Sequence, residues 1–276
     1  RGLHVGPNCA IIPPPHIGAD GPPDSEHKRG DSMIKWIRRF DEVCEGSRDE
    51  ARATLGGKGA GLTEMTAIGV PVPPGFTIVT GACVAALGHQ GEWPEALDAQ
   101  LAVAMAALEK NTGKKFGDPS NPLLVSVRSG ARSSMPGMMD TVLNVGLNAA
   151  VVEGLAKLTG NARFAQDCHR RFIHMFGDVV LGVKGTDGGR DPFEVLLDAF
   201  LHERHVASEQ VLDAAALADL ADAYRKLVAR SGVVQAFPDD PMQQLRLAIS
   251  AVFNSWNGAR AHTYRQANNI PESWGT

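Results

Sequence analysis

The 276-residue sequence predicts an α+β protein. Three observations carry that expectation. Residues from about 33 to 148 mix short apolar, β-branched runs with glycine and proline punctuation. Residues from about 149 to 233 repeat apolar side chains at helical spacing between cap residues. Residues from about 234 to 276 give a further cap-and-proline helix start followed by one apolar face.

Ahead of these regions, residues 1 to 32 hold Pro7, Pro13, Pro14, Pro15, Pro22 and Pro23 with many glycines and little periodic apolar pattern. Such a segment buries too little to offset its ordering entropy, so it reads as a disordered leader. The chain begins at Arg1 and stops at Trp274-Gly275-Thr276 without a closing element, which reads as a fragment with a non-native or leader segment in front. Folded sequence is expected from Met33, where Ile34, Trp36, Ile37 and Phe40 open an apolar pattern.

In the first region, Phe76-Thr77-Ile78-Val79 and Leu123-Leu124-Val125-Ser126-Val127 are the clearest strands, short, β-branched and bounded by turn residues. Leu101 to Leu108 reads as a helix ending before Asn111-Thr112-Gly113. In the second region, Asn148 caps a helix with Val151, Leu155 and Leu158 on one face, and Gly160 stops it. Asn161 caps the next, with Phe164, Cys168, Phe172 and Met175 as its stripe. Asp191-Pro192-Phe193-Glu194 gives a cap, a first-turn proline and a reciprocal glutamate. Leu217, Leu220, Tyr224, Leu227 and Val228 mark a further helix, and the glycine-rich link from Gly182 to Arg190 reads as a mobile surface loop. The third region opens with Asp240-Pro241, after which Leu245, Ile249, Val252, Phe253 and Trp256 share a face.

The composition, 43% hydrophobic and 21% charged, is that of an ordinary globular protein. A formal net charge of -4 supplies no basic field for nucleic acid or anionic lipid. Cys9, Cys44, Cys83 and Cys168 form no CxxC pair, which fits a reducing compartment. No apolar run approaches the roughly 20 residues needed to span a bilayer, and the N-terminus lacks a signal-peptide core. The expected location is the cytoplasm.

Two clusters could carry chemistry. The first is Leu55-Gly56-Gly57-Lys58-Gly59-Ala60-Gly61-Leu62, expected to run into a short helix through Met65 and Ile68. Glycines let backbone amides turn toward an anion, a helix start adds partial positive charge, and Lys58 supplies a full one. It is not a Walker A loop, which needs a glycine where Arg52 stands and Ser or Thr where Gly59 stands. A plain tight turn is the alternative.

The second cluster is Ser126-Val127-Arg128-Ser129-Gly130-Ala131-Arg132-Ser133-Ser134-Met135-Pro136-Gly137-Met138-Met139-Asp140-Thr141. Arg128 stands where a strand gives way to a loop, a common place for ligand contacts, and a guanidinium can hold phosphate oxygens bidentately. The alternative is a structural ion pair with a local carboxylate. Arg132 reads as a surface or supporting charge. Met135, Met138 and Met139 are core filler or an adaptable apolar wall, and Asp140 and Thr141 could equally cap the turn that follows. His202 and His205, three apart, read as solvent-facing rather than a metal pair, and His169 and His174 as helix-surface or partly buried.

These clusters resemble the N-terminal nucleotide-binding domain of the pyruvate, phosphate dikinase family. The likeness is carried by GGKGAGLTEMTAIGVPVPPGFTI (56–78), PLLVSVRSGARSSMPGMMDTVLNVGLN (122–148) and AVFNSWNGARAHTYRQANNIPESWGT (251–276). It runs from about Met33 to Thr276. The sister family that makes phosphoenolpyruvate from pyruvate and water shares the Gly-Gly-Lys and Val-Pro-Pro-Gly-Phe elements but differs after its Val-Arg-Ser, and is the alternative. A non-catalytic nucleotide-binding module is another.

The resemblance implies an ATP-grasp-type first lobe (33–148), an inserted all-helical subdomain (149–233) and a return to the first lobe (234–276), with the second lobe missing. It implies that Lys58 and Arg128 contact ATP phosphates, and that Gly137, Met139, Asp140 and Thr141 lie along the nucleotide. Magnesium ligands are then expected beyond Thr276, with no metal or catalytic residue in this chain. By the same resemblance the complete enzyme, for which a homodimer is one expectation, converts ATP, phosphate and pyruvate to AMP, pyrophosphate and phosphoenolpyruvate through a phosphohistidine. The phosphohistidine and pyruvate-binding domains of the same polypeptide would be the partners. The isolated chain is expected to be inactive.

Overall fold

A computed structural model of the chain describes residues 34–42, 46–185 and 189–276. The leader segment and the middle of the 182–190 link lie outside the described residues. From Lys35 to Thr276 the chain forms one compact unit. It combines helices with three two-stranded ladders, so α+β holds. None of the described helices is long and apolar enough to cross a membrane.

The first region runs β1 (Ile37–Arg39), α1 (Arg48–Ala67), β2 (Phe76–Ile78), α2 (Thr80–Gly88), α3 (Leu97–Thr112), β3 (Lys115–Phe116), β4 (Pro122–Leu123), β5 (Val125–Arg128) and β6 (Thr141–Val145). β1 and β2 pair antiparallel, Ile37 opposite Ile78. α3 is longer at both ends than expected. It buries Leu97, Leu101, Ala104, Met105 and Leu108, and stops only at Gly113, whose φ of 66° is the left-handed turn that glycine adopts at low cost.

The apolar run expected as one strand, Leu123 to Val127, is two. Leu123 pairs in parallel with Phe116 of β3, whereas β5 pairs antiparallel with β6 across an irregularity between Val125 and Val127. The chain changes partner at Leu124. A hydrophobic pattern reports burial rather than which neighbour supplies the hydrogen bonds, so this break is invisible in sequence.

The second region is helical, with α4 (Ala149–Thr159), α5 (Ala162–Met175), a π-helical turn (Phe176–Val180), α6 (Pro192–Glu203), a short 3₁₀ turn (Glu209–Val211) and α7 (Ala214–Arg230). The expected caps are made. Asn148, Asn161 and Asp191 accept from the backbone N–H groups of Val151, Phe164 and Phe193. Gly160 closes α4 at φ 64°.

The expected faces need correction. Leu158 is 60% exposed and Phe164 46% exposed. α5 packs against both α4 and α7, so its buried arc is rotated to Ala165, His169, Arg170, Phe172 and Ile173. His169, expected at the helix surface or partly buried, is therefore buried. His202 and His205 are exposed as expected, though His205 lies past the end of α6.

The third region is α8 (Pro241–Ser255) and α9 (Ala259–Ala267). Asp240 caps α8 by accepting from Gln243 N, and Leu245, Ile249, Val252, Phe253 and Trp256 are all buried. Gln244, fully buried, secures the junction between regions. Its Oε1 accepts from Gly146 N, and its Nε2 donates to the carbonyls of Leu147 and Pro238, each at 2.9 Å. One core runs from Ile37 to Phe253 through the mixed region, the helical block and α8. A second, small cluster joins Met135, Trp256 and Ala261.

Candidate functional site

The glycine-lysine cluster does not open a helix from a loop, as its sequence suggests. α1 begins earlier, at a complete capping box in which Ser47 accepts from Glu50 N and the Glu50 carboxylate accepts from Ser47 N. The helix is interrupted at Gly56, with φ 69° and ψ 172°, and resumes beyond it. Only glycine fits there. A Cβ on Gly56 would lie 1.2 Å from the Gly130 carbonyl oxygen, and the φ is one that side chains rarely adopt. The Gly57 N–H, expected to face an anion, donates instead to Ala131 O at 3.1 Å. The glycines thus bring two backbones together, and Lys58 is carried to the loop after β5.

Arg128 is the last residue of β5 and pairs directly with Thr141, the first of β6. Lys58 Nζ donates to the carbonyl of Ser129, the next residue, at 2.9 Å. Burial, and then the nearby Arg128 guanidinium, hold the Lys58 pKa below its ordinary 10.5. Among the described residues no carboxylate lies within ion-pair distance of either cation, and both are exposed. The structural ion pair weighed for Arg128 is therefore not made by any of the described residues.

The rest of the loop is clamped from the C-terminal side. Met135 is core filler, packed with Trp256 and Ala261, and half-buried Met138 and Met139 lean on the same cluster. The chain turns at Pro136-Gly137, with Met138 N donating to Met135 O; Gly137, at φ 73°, has open space around it. Asp140 neither caps a turn nor stands free. Its N–H donates to Ser255 Oγ, and its carboxylate pairs with Arg260, both at 3.3 Å. Arg132 stacks over Trp274, 4.5 Å from the ring centroid, and Tyr264 donates to Ser134 O at 3.5 Å.

Of the six residues picked from sequence, Lys58, Arg128 and Thr141 gather at one corner. Asp140 and Met139 follow along the clamped loop, and Gly137 sits at its exposed tip. Ser129, Arg260, Tyr264 and Trp274 were not picked. Their roles depend on contacts across more than a hundred positions, except for Ser129, which acts through a backbone carbonyl that no side chain advertises. A cleft of about 370 Å³, lined by Thr80, Val84, Arg132, Trp274 and Gly275 among others, lies on the tail side of the loop, and neither Lys58 nor Arg128 lines it.

A divalent ion such as Mg²⁺ takes several oxygen ligands, usually including carboxylates. This corner supplies two cations and one carboxylate already paired with Arg260. The residues present do not fit the ion.

The family model described as "Pyruvate phosphate dikinase, AMP/ATP-binding domain" matches residues 86–276. The chain belongs to this family. It is 46% identical over 244 residues to pyruvate, phosphate dikinase of Clostridium symbiosum, covering 88% of this chain and 27% of the relative. It is 49% identical over 226 residues to that of Giardia intestinalis, covering 82% and 25%. With the chloroplastic pyruvate, phosphate dikinase 1 of Arabidopsis thaliana the identity is 47% over 225 residues, covering 82% and 23%. The chain thus spans about a quarter of the length of the curated relatives it matches. Arg128, Gly137, Met139, Asp140 and Thr141 fall inside the span matched by the pyruvate phosphate dikinase domain. Lys58 precedes that span, but an alignment covering 88% of the chain necessarily includes it.

Proposed function

We propose that this chain is the ATP-binding part of a pyruvate, phosphate dikinase, and that Lys58 and Arg128 hold the nucleotide's phosphates. The observation that carries this reading is their shared corner. Two cations, one helping to depress the pKa of the other, stand beside a strand end where none of the described carboxylates neutralises them. A polyphosphate would neutralise both, with Arg128 offering a planar fork and Lys58 a mobile point charge. Lys58 would exchange its bond to Ser129 O for a phosphate oxygen. Thr141, opposite Arg128, would add a hydroxyl, and Met139, Asp140 and Gly137 would lie along the ligand.

Phosphoryl transfer is catalysed mainly by positioning and by neutralising charge. This corner does that from one side only. In this reading the chain is an ATP-grasp first lobe carrying 149–233 as a helical insertion. The opposing lobe, the magnesium carboxylates and the phosphohistidine that passes the phosphoryl group towards phosphoenolpyruvate belong to residues outside this chain. The chain alone therefore binds nucleotide weakly and does not turn it over.

Calorimetric titration of the chain with ATP, tripolyphosphate and adenosine tests the assignment. ATP and tripolyphosphate should bind and adenosine should bind far less. Adenosine binding as tightly as ATP, or no binding of either polyphosphate, would remove the phosphate corner from the account.

A further inference from the structure

Away from that corner, the end of α5 meets the start of α6. Asp191 is the N-cap of α6 and Glu194 its third residue, a spacing that directs both side chains to the same side of the first turn. His174, in the last turn of α5, faces them. One nitrogen of His174 and one oxygen from each carboxylate lie within 4.8 Å of one another.

The contacts join two of these groups to each other and leave the third unengaged. Asp191 uses Oδ1 to cap the helix, accepting from Phe193 N at 2.8 Å, and turns Oδ2 to His174 Nε2 at 2.7 Å. The reciprocal bond expected from sequence, Glu194 to the N-cap backbone, is not made. The Glu194 carboxylate has no hydrogen bond or ion pair among the described residues. Among the described residues no lysine or arginine pairs with Asp191 or Glu194, and neighbouring Arg190 is held by Asp198. The imidazole is fixed in place, stacked on Phe193 at 4.9 Å and edge-on to Tyr224 at 5.7 Å.

A second observation points to a missing occupant. Tyr224 is 0% exposed and its hydroxyl has no hydrogen-bond partner, although buried hydroxyls are almost always paired. The Tyr224 ring lies edge-on to both His174 and Phe193, and its hydroxyl lies near the Arg170 guanidinium and within the field of Glu194 and Asp191.

We propose that His174, Asp191 and Glu194 form a binding site for a divalent transition-metal cation, Zn²⁺ above all, tying the end of α5 to the start of α6. One imidazole and two carboxylates are a donor set for Zn²⁺ rather than for Mg²⁺, which prefers oxygen alone. Zinc bonds near 2.0–2.1 Å place tetrahedral ligand atoms roughly 3.4 Å apart. Rotation of exposed Glu194 would shorten the long side of the present spread, while the 2.7 Å Asp191–His174 contact would open as the cation displaced the proton between them. The fourth position is left to water.

The test uses the full chain. Titration with Co²⁺, followed by the visible bands of a low-symmetry site, and competition by Zn²⁺ would show one saturable site per chain. Glu194→Gln should weaken Zn²⁺ binding about tenfold or more and remove the rise in melting temperature that Zn²⁺ gives the parent chain. Glu194 is exposed, so this variant keeps the fold, which circular dichroism verifies; His174→Gln should behave alike. Equal Zn²⁺ affinity in the parent and Glu194→Gln chains, or no saturable site, would overturn the proposal.

Discussion

Lys58 reaches across to the end of β5, where Arg128 is the last residue. Lys58 Nζ is bonded to the carbonyl of Ser129, 71 positions further along the chain, and the Arg128 charge helps lower the lysine's pKa. Burial is the larger cause and the neighbouring guanidinium the second. Two like charges placed together, with no described carboxylate paired to either, favour an anion at this corner.

The first prediction concerns proton affinity. Removing Arg128 takes away a repulsion, so Arg128→Ala should move the Lys58 titration upward towards 10.5. ATP should do the same, because a phosphate stabilises the protonated amine. Binding is then strongest while Lys58 is charged and weakens as pH rises through the value in the free chain. NMR titration of the Lys58 side chain, with and without ATP, measures both shifts. An unchanged titration in Arg128→Ala would separate the two residues.

The second concerns the backbone contact that brings Lys58 to the loop. Gly56→Ala forces a side chain into a φ of 69° and against Gly130 O. It should cost about 2 to 5 kcal/mol in urea denaturation. Gly61→Ala is the contrast. Its Cβ would meet nothing within 4 Å inside the same helix, so it should stabilise by about 0.5 to 1 kcal/mol.

The third is the acid response of the helical block. Burial, followed by the Arg225 charge, pushes the His169 pKa down to about 4 from 6.5, against weaker opposite effects of Asp239 and Asp222. The unfolded chain then binds more protons than the folded one between those values, so stability present above 6.5 is lost as pH falls towards 4. The loss approaches about 3 kcal/mol once the histidine is forced to charge. Melting temperatures from pH 7 to 4 should show the decline, and His169→Gln should flatten it.

Much of the fold was legible where one residue type has one local job. Asn148, Asn161, Asp191 and Asp240 cap helices because their short side chains reach backbone N–H groups two or three residues on. The buried face of α8 followed from spacing because that helix lies against the core along one side. α5 is enclosed by α4 and α7, so a single stripe misplaced its buried arc and hid His169. Gln244 gave no sign that its amide would serve three backbone groups, since a polar residue near a helix start ordinarily faces water.

The site divided in the same way. Residue type, strand end and family resemblance picked out Lys58 and Arg128. Spacing could not foresee that Gly56 kinks a longer helix, nor that Ala131 takes the Gly57 amide. The clamp of Arg260, Tyr264 and Trp274 on the 129–140 loop depends on packing of the small Met135–Trp256–Ala261 cluster, which is long-range by nature.

The most direct measurement is ATP affinity by calorimetry in four chains: the parent, Lys58→Ala, Arg128→Ala and the double variant. Both side chains are exposed, so the fold should survive. Each single change should weaken binding by about 1 to 3 kcal/mol, as loss of a charge-assisted phosphate contact requires, and the double change should abolish it. If either single variant binds ATP as the parent does, the two cations do not share one polyphosphate.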